Sequence, residues 1–435
     1  MPVLRPEFPD HSSAFSREQE RRLKLDAILS AAARHFNERG FADTRLEDVA
    51  ADLGLTKTSI SYYFSSKEDL AEAVFRASAA FLTDAVAKAN AVDASAADRI
   101  KALFTAYSDQ LMEAVRGERP YLAALRDLDV LADTVSSQIG GEIHQCVDEI
   151  NTIVGDWIAQ GDVPLGRPEP VSFLILALLD WMGERQEHAR DSQDIARDRD
   201  VLIKLMDQGL AVSTLTRQAG PSIGLSLDAA PAIFDRDARN RMKREAFLKA
   251  GSRFFNQRGF GGTSLADVAA SLGVSRGAFY YHIDDKEQFL DQCLERSLLL
   301  IERTQEAVED IELPPLEQVY SVMTELIYRQ ASGIEPLLRP NMAAVLPKPR
   351  QRRHLTRLRN IERHIGDALT DAIAIGAARE INTGLVENIL ASVIFLNGGY
   401  TLTAANSFAN WSLSEDPRTA TGDYLYVLFN GLGPA

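Results

Sequence analysis

Cysteine is almost absent: Cys146 and Cys293 are the only two in 435 residues. That excludes a disulfide framework or a cysteine-built zinc site and agrees with a reducing compartment, so each thiol is expected to be a small buried apolar side chain. No run of eighteen apolar residues occurs, and Met1 to Phe15 is polar and proline-dotted, without a signal-peptide core, so no membrane segment is expected and the cytoplasm is the expected location. Phosphate-cradling glycine loops, a Gly-x-Ser-x-Gly elbow and a paired Cys–His arrangement are missing too, which argues against an enzyme and against any cofactor. His354 and His364 lie ten residues apart on different faces of one expected helix, so they suggest no metal. No alternating run is long enough for a sheet, and the expected fold class is all-α.

What the chain does contain, it contains twice. Thr44-Arg45-Leu46-Glu47-Asp48-Val49-Ala50-Ala51-Asp52-Leu53-Gly54-Leu55-Thr56-Lys57 runs on to Tyr62-Tyr63-Phe64, and Thr263-Ser264-Leu265 runs through Leu272-Gly273-Val274-Ser275-Arg276 to Tyr281-His282-Ile283. The register is constant, with Gly40 matching Gly259, Tyr62 matching Tyr281 and Lys67 matching Lys286, and close to half of the positions are identical. A chain of this length suggests two or more domains, each able to bury its own core. Its formal charge of -15 lies almost wholly outside the repeats, since residues 16–67 sum to about +1 and residues 236–286 to about +5.

Each repeat reads as helix, tight turn, helix. Thr44 is placed to cap the first helix, and Glu47 three residues on would close a capping box. Leu46, Val49, Ala50 and Leu53 give that helix one apolar face, and Gly54 stops it in a left-handed turn. Thr56 caps the second helix, which directs Ile60 and Phe64 inward and presents Lys57, Thr58, Ser59, Ser61, Tyr62 and Tyr63. In the other copy the presented set is Arg276, Gly277, Ala278, Tyr280, Tyr281 and His282, with Phe279 inward. Two helices joined by a short glycine turn form a helix-turn-helix, whose second helix enters the DNA major groove.

The longer context narrows this. Phe36-Asn37-Glu38-Arg39-Gly40-Phe41 precedes the first motif and Ser66-Lys67-Glu68 follows it, while Phe255-Asn256-Gln257-Arg258-Gly259-Phe260 and Asp285-Lys286-Glu287 frame the second. This pattern resembles the DNA-binding domain of the tetracycline-repressor (TetR) family, written here twice. The resemblance implies two tandem units, each a three-helix DNA-binding domain followed by a helical ligand-binding and dimerisation body. It implies phosphate contacts at Thr44, Thr263, Lys67 and Lys286, with Arg45 and Ser264 beside them, and backbone or base contacts from Tyr62, Tyr63, Tyr281 and His282. Ser61, Ala278 and Ile283 depart from the family's usual Tyr, Thr or Ser, and Phe.

On this reading residues 1–20 are an arm, 21–67 the first DNA-binding domain, 68–218 its body, 219–238 a linker, 239–286 the second DNA-binding domain and 287–435 its body. Helices are expected at 171–186 and 195–216 in the first body, and near 286–311, 315–331, 351–377, 383–409 and 416–431 in the second. The closing pairs, 171–216 and 383–431, are expected to form a four-helix pseudo-dimer bundle. Family members pair as homodimers, placing recognition helices in grooves about 34–36 Å apart; one fused chain can do so alone, or pair again with a copy of itself. Because the reading surfaces differ, with Arg276 suited to guanine and Lys57 a single charged donor, the double-stranded DNA operator is expected to have unequal half-sites.

A small-molecule effector that releases DNA is implied by the same resemblance. Apolar and aromatic candidates for its pocket are Phe104, Tyr107, Met112, Trp157 and Trp181 in the first body, and Tyr320, Met323, Tyr328, Phe395 and Tyr400 in the second; core packing is the competing role for each. Arg350, Arg352, Arg353, Arg357, Arg359 and Arg363 form the densest charge cluster, read either as a solvated helix face or as an anion site. The expected function is a DNA-binding transcriptional repressor. The alternative is an interaction module with one or both helix-turn-helix units vestigial, sequestering another regulator.

Overall fold

A computed structural model of the chain describes residues 14–125, 128–161, 163–215, 236–275, 277, 279, 283, 285–395 and 417–433. Its regular structure is helical, and the one β feature among the described residues is an isolated antiparallel bridge between Ala211 and Ala378. By its internal contacts the chain forms two compact units, Met1–Ile150 with Met182–Arg199, and Asn151–Trp181 with Asp200–Ala435.

The first unit opens with α1 (Ala14–Asp43), which takes up residues 14–20 of the stretch expected as an arm and kinks at Gly40, where φ is 77°. Ile28, Ala31, Ala32 and Phe36 recur at helical spacing and are buried. They face α2 (Leu46–Asp52) and α4 (Lys67–Asn90), and α2 in turn packs on α3 (Lys57–Ser61). Ser66 caps α4 by accepting from Asp69 N at 3.0 Å. The expected stripe of Leu70, Ala71, Val74, Phe75, Ser78 and Leu82 is buried along α4, which packs on α5 (Ala96–Val115). Rings bridge the layers, Phe36 to Phe75 at 5.9 Å and Phe81 to Tyr107 at 6.1 Å.

Helices α6 (Asp133–Gln160), α7 (Glu169–Arg185) and α8 (Ser192–Gln208) complete the first half of the sequence. α8 stops eight residues short of the expected 216 because Gly209 takes φ 68°, a left-handed backbone that ends the helix. Residues 219–235 of the expected linker lie outside the described residues, and α9 (Arg236–Gly262) is helical from Arg236.

The second unit adds α10 (Leu265–Ser271), α11 (Lys286–Glu309), α12 (Pro315–Ala331), α13 (Lys348–Ala374), α14 (Thr383–Phe395) and α15 (Pro417–Asn430). The extension of α14 expected to 409 lies outside the described residues. Phe247, Phe279 and Phe289 pack at 4.8 Å and 5.5 Å, and Phe255 joins Phe289 at 5.7 Å, building the core under α9 and α10. Both thiols are buried as expected; burial first, and then Glu149 and Glu142, pushes Cys146 up to about 12.

Three of the six clustered arginines, Arg350, Arg353 and Arg357, form a ladder between α11 and α13, while Arg359 and Arg363 bond Thr356 and Asn360 of their own helix. Arg350 reaches Glu287 at 3.2 Å, Arg353 and the buried His354 reach Asp291 at 3.0 Å and 2.6 Å, and Arg357 holds Glu295 at 2.6 Å and Glu302 at 2.5 Å. Acids at this spacing lie along one side of α11 and meet the basic side of α13.

Within the same unit, the turn after α8 meets the turn after α15. Leu210 N donates to Leu428 O at 3.0 Å and Leu432 N donates to Met206 O at 2.7 Å; Ala211 N donates to Phe429 O at 2.8 Å and Gly433 N to Asp207 O at 3.1 Å. Each residue of one turn makes the bond that its counterpart makes in the other, the reciprocity of a two-fold contact. Trp157 Nε1 donates to Leu432 O at 2.9 Å, and Trp181 Nε1 to Asn388 Oδ1 at 3.0 Å.

Candidate nucleic-acid interface

The reading helix of the first copy is held from behind by a small polar frame. Gly40 turns the chain out of α1, and Phe41 folds back into the core. The capping box expected of Thr44 and Glu47 does not form. Thr44 is buried and its hydroxyl donates to Gly40 O at 2.8 Å, while Arg45 is the N-cap of α2 and makes no side-chain cap among the described residues. The kink frees the Gly40 carbonyl from the helix ladder, and the nearest hydroxyl satisfies it. Lys67 then closes the frame: its ammonium lies 2.8, 3.2 and 3.0 Å from the carbonyl oxygens of Phe41, Ala42 and Thr44, and 4.1 Å above the Phe41 ring.

The second copy repeats the frame. Gly259 has φ 65°, Thr263 is buried and donates to Gly259 O at 2.7 Å, and Lys286 reaches Gly261 O at 3.2 Å and the Phe260 ring at 4.5 Å. Arg39 pairs with Asp48 at 3.3 Å, and its counterpart Arg258 with Asp267 at 3.4 Å. Ser264 differs from Arg45 in capping its helix, accepting from Ala266 N at 3.2 Å.

Gly54, at φ 67°, ends α2 as expected, and Thr56 accepts from Ser59 N at 3.3 Å to start α3. Ile60 and Phe64 are buried. Lys57, Thr58, Ser61 and Tyr62 are exposed together with Arg45, and Ser59 and Tyr63 are half-buried. Tyr62 is 80% exposed, too open to be core, and meets Tyr63 edge-on at 5.2 Å. Lys57 Nζ sits 2.7 Å from Glu47 Oε1. In the second copy Gly273 has φ 65°, Phe279 and Ile283 are buried in the places of Ile60 and Phe64, and Gly277 is exposed. Arg276, Ala278, Tyr280, Tyr281 and His282 lie outside the described residues.

A second repeated device was not anticipated from sequence. Asn37 Nδ2 donates to Leu122 O at 3.0 Å while its Oδ1 accepts from Ala124 N at 2.8 Å, and Ser78 Oγ accepts from Ala123 N at 2.9 Å. In the second copy Asn256 clasps Leu337 O at 2.7 Å and Arg339 N at 3.2 Å, and Ser297 accepts from Leu338 N at 2.8 Å. Each clasp ties the first helix of a DNA-reading domain to a loop of its own body. The sequence signal is the matched Asn after Phe, together with Gly117-x-x-Pro120 and Gly333-x-x-Pro336, whose glycines have φ 77° and 68°. The second clasp is also ionic: Arg296 binds Glu245 at 2.5 Å and Glu335, and Lys249 binds Glu335 at 2.9 Å.

The nominated pocket residues are dispersed. Phe104 and Tyr107 are buried between α4 and α5, and Trp157 and Trp181 donate the hydrogen bonds given above. Tyr320 stacks edge-on with Phe429 at 5.0 Å, Met323 and Phe395 are buried, and Tyr328 lies 4.2 Å under Arg418; Tyr400 lies outside the described residues. A narrow cleft in the second body is lined by Gln305, Val308, Gln318, Val319, Val322, His364, Ile365 and Ala368, none of them among those candidates. Among the described residues no helix is long and apolar enough to cross a membrane.

The sequence model for bacterial regulatory proteins of the tetR family matches twice, over residues 28–74 and 247–293, which are the two frames just described. The HTH-type transcriptional regulator RutR of Escherichia coli (strain K12) is 31% identical over 159 residues, covering 35% of this chain and 71% of that protein. The HTH-type transcriptional repressor DhaR of Mycobacterium sp. (strain GP1) is 29% identical over 85 residues, 19% of this chain and 43% of DhaR. Among solved structures, the TetR family transcriptional regulator PfmR from Thermus thermophilus aligns over 41% of this chain and 97% of its own, with 21% identity and a TM-score of 0.32. With both DNA-reading frames present and RutR matched over most of its length, the chain belongs to the tetR family of bacterial regulatory proteins.

Proposed function

We propose that this protein is a cytoplasmic transcriptional repressor that grips DNA as an intramolecular pseudo-dimer, reading an operator of two unequal half-sites and leaving it when a small molecule binds a helical body. One observation carries the pseudo-dimer: the reciprocal hydrogen bonds between residues 206–211 and 428–433 have the pattern of an isologous subunit interface, here made by one chain with itself. The two differing reading surfaces support the unequal half-sites. Thr58, Ser61 and Tyr62 stand exposed on the first, whereas the register of the second places Gly277 opposite Thr58 and Tyr280 opposite Ser61. The clasps at Asn37 and Asn256 support effector control, since a shift of loop 122–124 or 337–339 moves the first helix of the reading domain with it. Arg45, Lys57, Tyr62 and Tyr63 in the first copy and Ser264, Arg276, Tyr281 and His282 in the second are the assigned DNA contacts, and Thr44 and Thr263 position the helices that carry them.

Native mass spectrometry of the chain on duplexes selected from a random pool of about 30 base pairs, enough for two major-groove half-sites, tests this. One chain per minimal duplex, protecting two dissimilar half-sites, is expected. Two chains per duplex, or a strict palindrome equally sensitive in both halves, would overturn the pseudo-dimer. Absence of any selected duplex would overturn the DNA-binding role.

A further inference from the structure

Lys57 opens the reading helix of the first copy, yet it is already engaged. Its ammonium lies 2.7 Å from the Glu47 carboxylate, with both side chains more than half exposed, and this contact holds Glu47 below the usual carboxylate range. Glu47 sits in the first turn of α2 and Lys57 in the first turn of α3, so the pair spans the turn between the two helices of the motif. In the second copy the position of Lys57 is taken by Arg276 and that of Glu47 by Ala266, which has no carboxylate to offer.

We infer that Glu47 restrains Lys57, so that the first reading head binds DNA more weakly than it would with Lys57 released. The inference rests on the DNA-binding reading above. A cation bound to DNA gives up its protein partner, and the lost contact is subtracted from what the DNA contact returns. Glu47 itself touches no DNA in this account; it acts through Lys57. An exposed pair of this kind shifts an equilibrium by about two- to five-fold. The second head has alanine at the matching position, so no carboxylate is available from there.

The test is a double-mutant cycle read as affinity for the selected duplex and for two symmetrised versions of it, one carrying the first half-site twice and one the second half-site twice. Glu47→Gln keeps the shape of the side chain and removes its charge. It is expected to raise affinity about two- to five-fold on duplexes containing the first half-site, to raise it less on the other symmetrised duplex, where the first head meets a site not its own, and to have no effect in a Lys57→Met background. A gain of the same size in the Lys57→Met background would show general charge repulsion and overturn the inference. So would a loss of affinity, which would make Glu47 a support for Lys57 rather than a restraint. If Glu47→Gln lowers the melting temperature, a Glu68→Gln variant, which removes an exposed acid from the first turn of α4, shows whether loss of charge alone mimics the effect; an equal gain there also overturns it. Failure of the unaltered chain to bind any duplex sinks the DNA-binding reading itself, whereas binding with no response to Glu47→Gln sinks this inference alone.

Discussion

Gly209 and Gly431 lie back to back, each with a left-handed backbone and each pressed against the main chain of the other's turn. A Cβ on Gly209 would stand 2.5 Å from Phe429 O, and one on Gly431 would stand 2.6 Å from Asp207 O. Neither obstacle is a movable side chain. Gly209→Ala or Gly431→Ala is therefore expected to cost about 3 kcal/mol, from the φ penalty and the backbone overlap together, measured by urea unfolding. Gly54→Ala, where φ is also positive but nothing lies within 4 Å, should cost less and serves as the control.

Lys67 spends its ammonium on three backbone carbonyls. Lys67→Met should destabilise the first reading domain by about 1–3 kcal/mol and speed hydrogen exchange at residues 42–49, even without DNA. A lysine serving only as a phosphate contact would leave the free protein's exchange untouched.

Asn256→Ala strands Leu337 O and Arg339 N, whereas Asn37→Ala strands Ala124 N alone, since Leu122 O also accepts from Gln186 Nε2 at 3.4 Å. A stability loss of about 1–3 kcal/mol is expected for each. Both loops have a second support, Gln186 on Leu122 N at 3.3 Å in the first and Arg296 on Pro336 O at 3.0 Å in the second, so neither variant should unfold its domain outright. Chemical denaturation that shows no loss in either variant would contradict the expected loss.

Glu362 and Glu387 both have raised pKa values. Burial dominates for each; the neighbouring Glu362 and Asp367 push Glu387 further, while Asn388 and Arg359 pull Glu362 partly back and Arg363 does so for Glu387. A carboxylate raised in the folded state binds its proton more tightly there than when unfolded. Its contribution to stability therefore falls as pH rises from the ordinary glutamate value, about 4.3, through the raised one. Glu362→Gln keeps an acceptor for Asn388 Nδ2, which donates to Glu362 at 3.1 Å. It should flatten the pH dependence of unfolding above about pH 4.3 and stabilise the neutral-pH protein. An unchanged slope would refute the assignment.

The helix-turn-helix frames are legible in the sequence because their signals are local: a glycine that must turn left, a threonine that caps, apolar residues at helical spacing. Gly54, Thr56, Ile60 and Phe64 all stand where that logic puts them. Thr44 departs from it because a hydroxyl can donate as well as accept, and the carbonyl it serves is created by a kink four residues earlier. The partners of Arg350, Arg353 and Arg357 lie about sixty residues away on α11, and charge composition alone does not reveal which acids face them. The repeat marks Asn37 but not its role, for a related reason: its bonds and that of Ser78 go to backbone atoms of a loop whose sequence carries little besides Gly117 and Pro120.

The reciprocal turns at Gly209 and Gly431 also bear on numbers of molecules. Two separate subunits must find each other before they can hold such a contact, so their paired fraction drops with dilution. Here the partners share one polypeptide, and the tether keeps each at an effective concentration on the order of millimolar for the other. With the chain gripping DNA as the proposed pseudo-dimer, a cell holding only a few copies would keep every copy paired, and occupancy of the operator would rise with the first power of copy number rather than the second.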